Sequence, residues 1–145
     1  MNVQVIYDSQ YGNTERVARA IAEGLGEDAR VDRVDDGTRV EAGVALLVIG
    51  GPTQGHGAGP TMATFLQRLP QLEGVAVAAF DTRLTWPKLL SGAASDRIAR
   101  ALRDHGAHLV AEPESFLVTG REGPLVDGEL ERATSWAHAI RTTVG

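Results

Sequence analysis

The chain has 145 residues, 43% of them hydrophobic and 23% charged, which is room for one hydrophobic core and not two. It has no cysteine, which excludes disulfides, thiolate metal centres, cysteine-ligated iron–sulfur clusters and a cysteine nucleophile. Fourteen Lys and Arg against 19 Asp and Glu give a net charge of −5, a balance that argues against bare nucleic acid or anionic lipid and suits a basic protein partner.

The elements follow in chain order. The start, Met1-Asn-Val-Gln-Val-Ile-Tyr-Asp8, has no basic region before a long apolar stretch, so no secretory signal is read and the cytoplasm is expected. Val3–Tyr7 is rich in β-branched residues and predicts a strand, closed by Asp8-Ser9. Val17, Ile21 and Leu25 are four apart and predict a helix, with Asn13 and Thr14 as cap candidates and Gly26 as its stop. In 29–34 apolar and charged residues alternate, as in an edge strand with one wet face. Residues 35–43 hold a short helix or a loop, with Asp35-Asp36-Gly37 as a turn.

Val44–Ile49 and Val75–Phe80 are uniformly apolar and predict strands buried on both faces. The first of these runs is also too short to cross a bilayer. Met62, Phe65, Leu66 and Leu69 predict a helix entered at Pro60-Thr61. Ala94, Ile98, Ala101 and Leu102 predict another, ending at Gly106. A fifth strand is expected at 108–111, resuming at 115–118 after Pro113, and a last helix along Leu130, Ala133, Ala137, Ile140 and Val144. Strands alternating with helices give one α/β domain over 1–145: a doubly wound, five-stranded parallel sheet of order 2-1-3-4-5, in three α/β/α layers. Ligands of such sheets sit beyond the carboxyl ends of the strands, here at loops 8–14, 50–61 and 81–91.

The first of these loops reads Ser9-Gln10-Tyr11-Gly12-Asn13-Thr14. It ends where a helix begins, and the first backbone N–H groups of a helix have no internal partner. Together with the helix dipole they favour an anion. Ser9, Asn13 and Thr14 add side-chain donors, and Gly12 lets the backbone approach a ligand. The loop holds no lysine, and neither the Walker pattern nor G-x-G-x-x-G occurs in the chain. Neutral donors suit a terminal phosphate monoester better than a magnesium-bound triphosphate. The same residues also read as an ordinary helix cap and turn.

Ser9-Gln-Tyr-Gly-Asn-Thr14-Glu15 resembles the phosphate loop of the flavodoxin family, S-x-[TY]-G-N-T, and Gly50-Gly51-Pro52-Thr53 resembles that family's second flavin loop in its G-x-P-T form. The resemblance spans essentially the whole chain and implies a short-chain FMN-binding domain. It implies that Ser9, Gln10, Tyr11, Gly12, Asn13 and Thr14 hold the FMN phosphate. The resemblance further implies that Thr53 lies by the phosphate and ribityl chain, and that Pro52, Gln54, Gly55, His56 and Gly57 in the second loop and Asp81, Thr82, Arg83 and Trp86 in the third flank the ring. The second loop has no Trp, Tyr or Phe, which departs from the usual aromatic sandwich. His56 is either a planar contact or a solvated loop histidine. Trp86 either stacks on the ring or anchors the sheet edge. Arg83 either faces the flavin, where its charge would stabilise the anionic reduced form, or pairs with Asp81. Trp136 and Tyr7 read as packing residues, and 119–124 as a polar loop that could be a partner surface.

No residue is expected to act as a catalytic acid, base or nucleophile, and no metal site is expected. The function implied is electron transfer by FMN between redox partner proteins, a reductase and an acceptor, by a monomer. An FMN-dependent NAD(P)H:quinone reductase is the alternative the Pro52-Thr53 form favours. A regulatory or interaction module with weak flavin binding is the alternative the missing aromatic favours.

Overall fold

The computed structural model describes residues 1–54, 57–85 and 93–145. Its elements are β1 (Val3–Tyr7), α1 (Asn13–Leu25), β2 (Ala29–Arg33), β3 (Leu46–Gln54), β4 (Gly57–Ala58), α2 (Pro60–Gln67), β5 (Ala76–Leu84), α3 (Ala94–Asp104), β6 (His108–Leu109), β7 (Glu114–Val118) and α4 (Glu129–Val144). The main sheet is parallel, in the order β2-β1-β3-β5-β6, with β7 also on β5. That is the expected 2-1-3-4-5, with the fifth strand in two pieces. β6 pairs with the start of β5 (Ala76↔His108) and β7 with its end (Phe80↔Glu114 to Leu84↔Val118). The break falls around Pro113, which has no N–H to give the ladder.

Alternation along the central strands sends side chains to the two faces of the one sheet, each covered by its own pair of helices. Val5, Tyr7, Val48, Ala78 and Phe80 pack with Val17, Ile21, Ala133 and Ile140 of α1 and α4. Ile6, Leu47, Ile49, Val77 and Ala79 pack with Met62, Phe65, Ile98 and Leu102 of α2 and α3. Trp136 and Tyr7 are packing residues as expected. Trp136 meets Phe80 and Phe116 edge to face at centroid distances of 6.5 and 5.9 Å, and Tyr7 is buried. Gly24 sets the closeness of α1 to α4, because a Cβ there would lie 2.6 Å from the Thr134 carbonyl oxygen and 2.7 Å from Ala137 Cβ.

Several boundaries differ from the sequence reading. β3 and β5 run past the apolar runs into segments expected to be loops, through Gln54 and Leu84. Their mutual pairing carries them on, Gly50↔Phe80, Gly51↔Asp81 and Pro52↔Thr82, and ladder bonds outweigh the weak strand preference of Gly and Pro. A Cβ on Gly50 would lie 2.2 Å from the Phe80 ring, so this strand glycine makes room for an aromatic. Residues 35–43 form a turn and loop. The turn is closed by Gly37 N–H to Asp35 Oδ1 at 2.8 Å, and the loop is tied to β1 by the buried Gln4 amide, which donates to the Arg39 carbonyl and accepts from Glu41 N–H. Among the described residues, no helix is long and apolar enough to cross a membrane.

Candidate functional site: an open helix start at the carboxyl edge of the sheet

The loop 8–12 lifts the chain from the end of β1 to the start of α1. It is shaped by its own polar groups. Ser9 N–H donates to Asp8 Oδ1 at 3.0 Å, and Gly12 N–H donates to Ser9 Oγ at 3.1 Å. Gly12 is the residue before the helix and has φ 90°, a left-handed conformation that L side chains avoid. A Cβ there would meet nothing within 4 Å, so within the protein itself Gly12 is required by its backbone angle rather than by crowding.

Asn13 and Thr14 do not cap α1, which corrects the expectation for them; both are already helical, and Gly12 stands in the cap position. Thr14 Oγ1 instead meets Thr82 Oγ1 of β5 at 2.8 Å, with both residues buried. Asn13 Nδ2 donates to the Glu122 carbonyl at 3.0 Å. The loop 119–124 therefore leans on this site. A Cβ on Gly123 would lie 2.6 Å from Asn13.

With no side-chain cap, the backbone N–H groups of Gln10, Tyr11, Asn13, Thr14 and Glu15 have no acceptor among the described residues. Ser9 Oγ accepts from Gly12 and keeps its own proton to donate. Converging donors at the positive end of a 13-residue helix make a cradle for an anion. Tyr11 stands 42% exposed at its mouth.

The other candidate residues fall into three groups. Gln54 and Pro52 lie beside the cradle. Gln54 Nε2 donates to Gln10 Oε1 at 3.3 Å, and Gln54 also covers Gly59, where a Cβ would lie 2.5 Å from its Oε1. Pro52 is half-buried opposite Thr82, and Gly57 pairs with Gln54 across a two-stranded hairpin. Thr53 and Asp81 turn to the start of α3. Thr53 Oγ1 accepts from Ala94 N–H at 3.0 Å, and Asp81 Oδ2 accepts from Ser95 N–H at 2.9 Å. Asp81 is fully buried, and its Oδ1 and Ser95 Oγ have no hydrogen-bond partner among the described residues. Burial pushes the Asp81 carboxyl above the usual aspartate range. Arg83 is half-buried near the end of β5, where its Nη1 donates to the Leu84 carbonyl at 3.2 Å, and its charge acts on Asp81 in the opposite sense to burial. Gly55, His56 and Trp86 lie outside the described residues.

Two contributors escaped the sequence reading. One is the 119–124 loop, whose contact with Asn13 has no local signal beyond Gly123-Pro124. The other is Arg33, whose Nη2 donates to the Ser9 carbonyl at 2.5 Å. Its signal was a fault in the alternation of β2. Ala29 and Val31 face the α1 core, and Arg33 occupies the next position in that phase.

The Flavodoxin family model matches residues 5–136. The chain belongs to the flavodoxin family. Proteins of the flavodoxin family bind FMN, and FMN is the cofactor that goes with this membership. The fold is similar to that of oxidised flavodoxin 1 from Bacillus cereus, at 22% identity and a TM-score of 0.82 over 100% of both chains. It is also similar to a flavodoxin from the domain Archaea, at 21% identity and 0.80 over 99% of each chain. A WrbA-like flavodoxin from Agrobacterium tumefaciens is similar at 19% identity and 0.74, over 99% of this chain and 96% of that one. No curated protein sequence matches the chain.

The cradle fits the cofactor's phosphate group: it offers donors without internal acceptors, a buried hydroxyl with a spare proton, and open space above Gly12.

Proposed function

We propose that this flavodoxin is a one-domain electron carrier that binds FMN and serves redox partner proteins. The observation that carries the reading is the set of backbone N–H groups at 10, 11 and 13–15 left without acceptors among the described residues at the start of α1. Those groups, the Ser9 hydroxyl and the Asn13 and Thr14 side chains would hold the phosphate of FMN. The ring would lie toward the ends of β3 and β5, with Pro52, Gln54, Gly57, Thr82 and Arg83 on the described parts of its border. When bound, FMN supplies the chemistry, taking and releasing electrons.

The chain's own residues bind and orient. The Thr14–Thr82 hydroxyl pair joins the phosphate end of the site to the β5 strand. If Thr82 donates to Thr14, the Thr14 proton is free for the anion. No side chain is required to move a proton, so no catalytic residue is assigned. The net charge of −5 supports steering toward a basic reductase or acceptor, with exchange that slows as salt rises. We place the carrier in the cytoplasm, as a monomer.

The test is a visible absorbance spectrum of the purified protein with FMN, followed by reductive titration and reoxidation by an electron acceptor. A bound flavin that cycles is the expected result. A protein that leaves FMN free in solution refutes the reading. Steady-state oxidation of NADPH by a quinone with the isolated protein would instead identify a quinone reductase.

A further inference from the structure

A peptide group has two ends. The carbonyl of Ser9 and the N–H of Gln10 belong to the same planar unit and, in a trans peptide, point in opposite directions. At one end the Ser9 carbonyl receives the Arg33 guanidinium. At the other, Gln10 N–H is among the donors with no acceptor among the described residues. Arg33 reaches this position because β1 and β2 pair in register, Tyr7↔Arg33, and because it holds the slot where Ala29 and Val31 face α1. Its backbone is at the very end of the strand, just below the cradle.

Arg33 makes no ion pair among the described residues. The other arginine of this strand, Arg30, is matched by Asp32 and Glu41. The phosphate loop thus has an arginine bound to its backbone that no carboxylate among the described residues pairs with. A guanidinium on a carbonyl oxygen polarises the peptide, which makes the N–H on the far side a better donor, and fixes the plane in which that N–H points.

We propose that Arg33 is a positioning residue of the cofactor site, which aims the Ser9–Gln10 peptide at the phosphate and supplies the cation that the loop itself lacks. The inference rests on the reading of residues 9–14 as the phosphate site. It assigns Arg33 a role in selecting phosphorylated over unphosphorylated flavin. Riboflavin, which has no phosphate, gains nothing from it.

The test measures FMN and riboflavin affinity of the full chain by flavin fluorescence quenching, at low and high salt, for the native protein, Arg33→Gln and Arg33→Lys. Arg33→Gln is expected to weaken FMN binding by about tenfold, the scale of one partly screened charge on a phosphate dianion. It should leave riboflavin unchanged and flatten the salt dependence of FMN binding. Arg33→Lys keeps the charge without the planar fork, and is expected to keep the salt dependence while losing part of the affinity. Equal losses for the two flavins, or no loss for FMN, overturn the proposal. A native protein that binds FMN no more tightly than riboflavin refutes the phosphate site itself, which is a separate failure.

Discussion

Two helices of this flavodoxin start at the carboxyl edge of the same sheet, and their ends are finished in opposite ways. At α3 the first amides are closed by the protein: Thr53 from β3 takes Ala94 N–H and the buried Asp81 carboxylate from β5 takes that of Ser95. At α1 the corresponding groups are left open among the described residues: the nearby side chains do not cap them, Thr14 meeting Thr82 and Asn13 donating to the Glu122 carbonyl, with capacity left over in each. The positive end of a helix attracts negative charge in both places. At α3 that charge is built in, whereas at α1 the protein supplies none among the described residues, and on the proposed reading a ligand would bring it. An internal carboxylate therefore closes the start of α3, and the open start of α1 is the end we propose for binding.

Changes at the open end should have the largest effect on ligand affinity. Thr14→Val removes a hydroxyl from the cradle and strands Thr82 Oγ1, and is expected to weaken FMN by about 1.5–3 kcal/mol, the worth of a hydrogen bond to a charged group. Riboflavin affinity should hardly move, and titration with both flavins checks the difference. A third helix start gives an intermediate case. At α4, Glu129 accepts Leu117 N–H at 2.7 Å and pairs with Arg132, which holds its carboxyl below the usual glutamate range. Glu129→Gln should cost about 1.5 kcal/mol of stability at neutral pH. Because the folded value is lowered, that contribution is complete above the ordinary glutamate value and is lost as pH falls through the lowered one. Denaturant curves for the two proteins should converge in acid.

Gly12→Ala forces a side chain into a left-handed backbone with no clash to add, so a loss of roughly 1–2 kcal/mol in stability is expected; a larger loss would mean that Gly12 is also crowded. The smallest effect belongs to the closed end. Asn at 81 can still accept from Ser95 N–H, so Asp81→Asn should stay within about 1 kcal/mol of the native protein at neutral pH. Asp81 has a raised folded value, so the folded protein binds the extra proton, and stability falls as pH rises from the ordinary aspartate value through the raised one. The Asn variant should lack that decline. Thermal unfolding across mildly acidic pH would show it.

The layers of the fold were legible because each central strand is a short apolar run and each helix carries a stripe at i, i+3, i+4 spacing. Where β3 and β5 end was not legible, since Gly50, Gly51 and Pro52 read as a stop and only pairing with Phe80, Asp81 and Thr82 shows why they continue. In the candidate site, the open turn at residues 9–14 was legible because a helix start after β1 is a local feature. The partners of Asn13, Thr14 and Ser9 lie 109, 68 and 24 positions away, and nothing local announces them. Thr53 and Asp81 were placed on the correct edge, but which helix start they serve depends on where α3 begins.

The contact between Asn13 and the 119–124 segment bears on protein engineering. Surface connections are the usual places to splice in a peptide tag or a reporter, but Glu122 and Gly123 press against Asn13 at the start of α1, and an insert there would shift that residue. The turn at 35–38 closes on itself through Asp35, Gly37 and Thr38, and is the safer point at which to join foreign sequence.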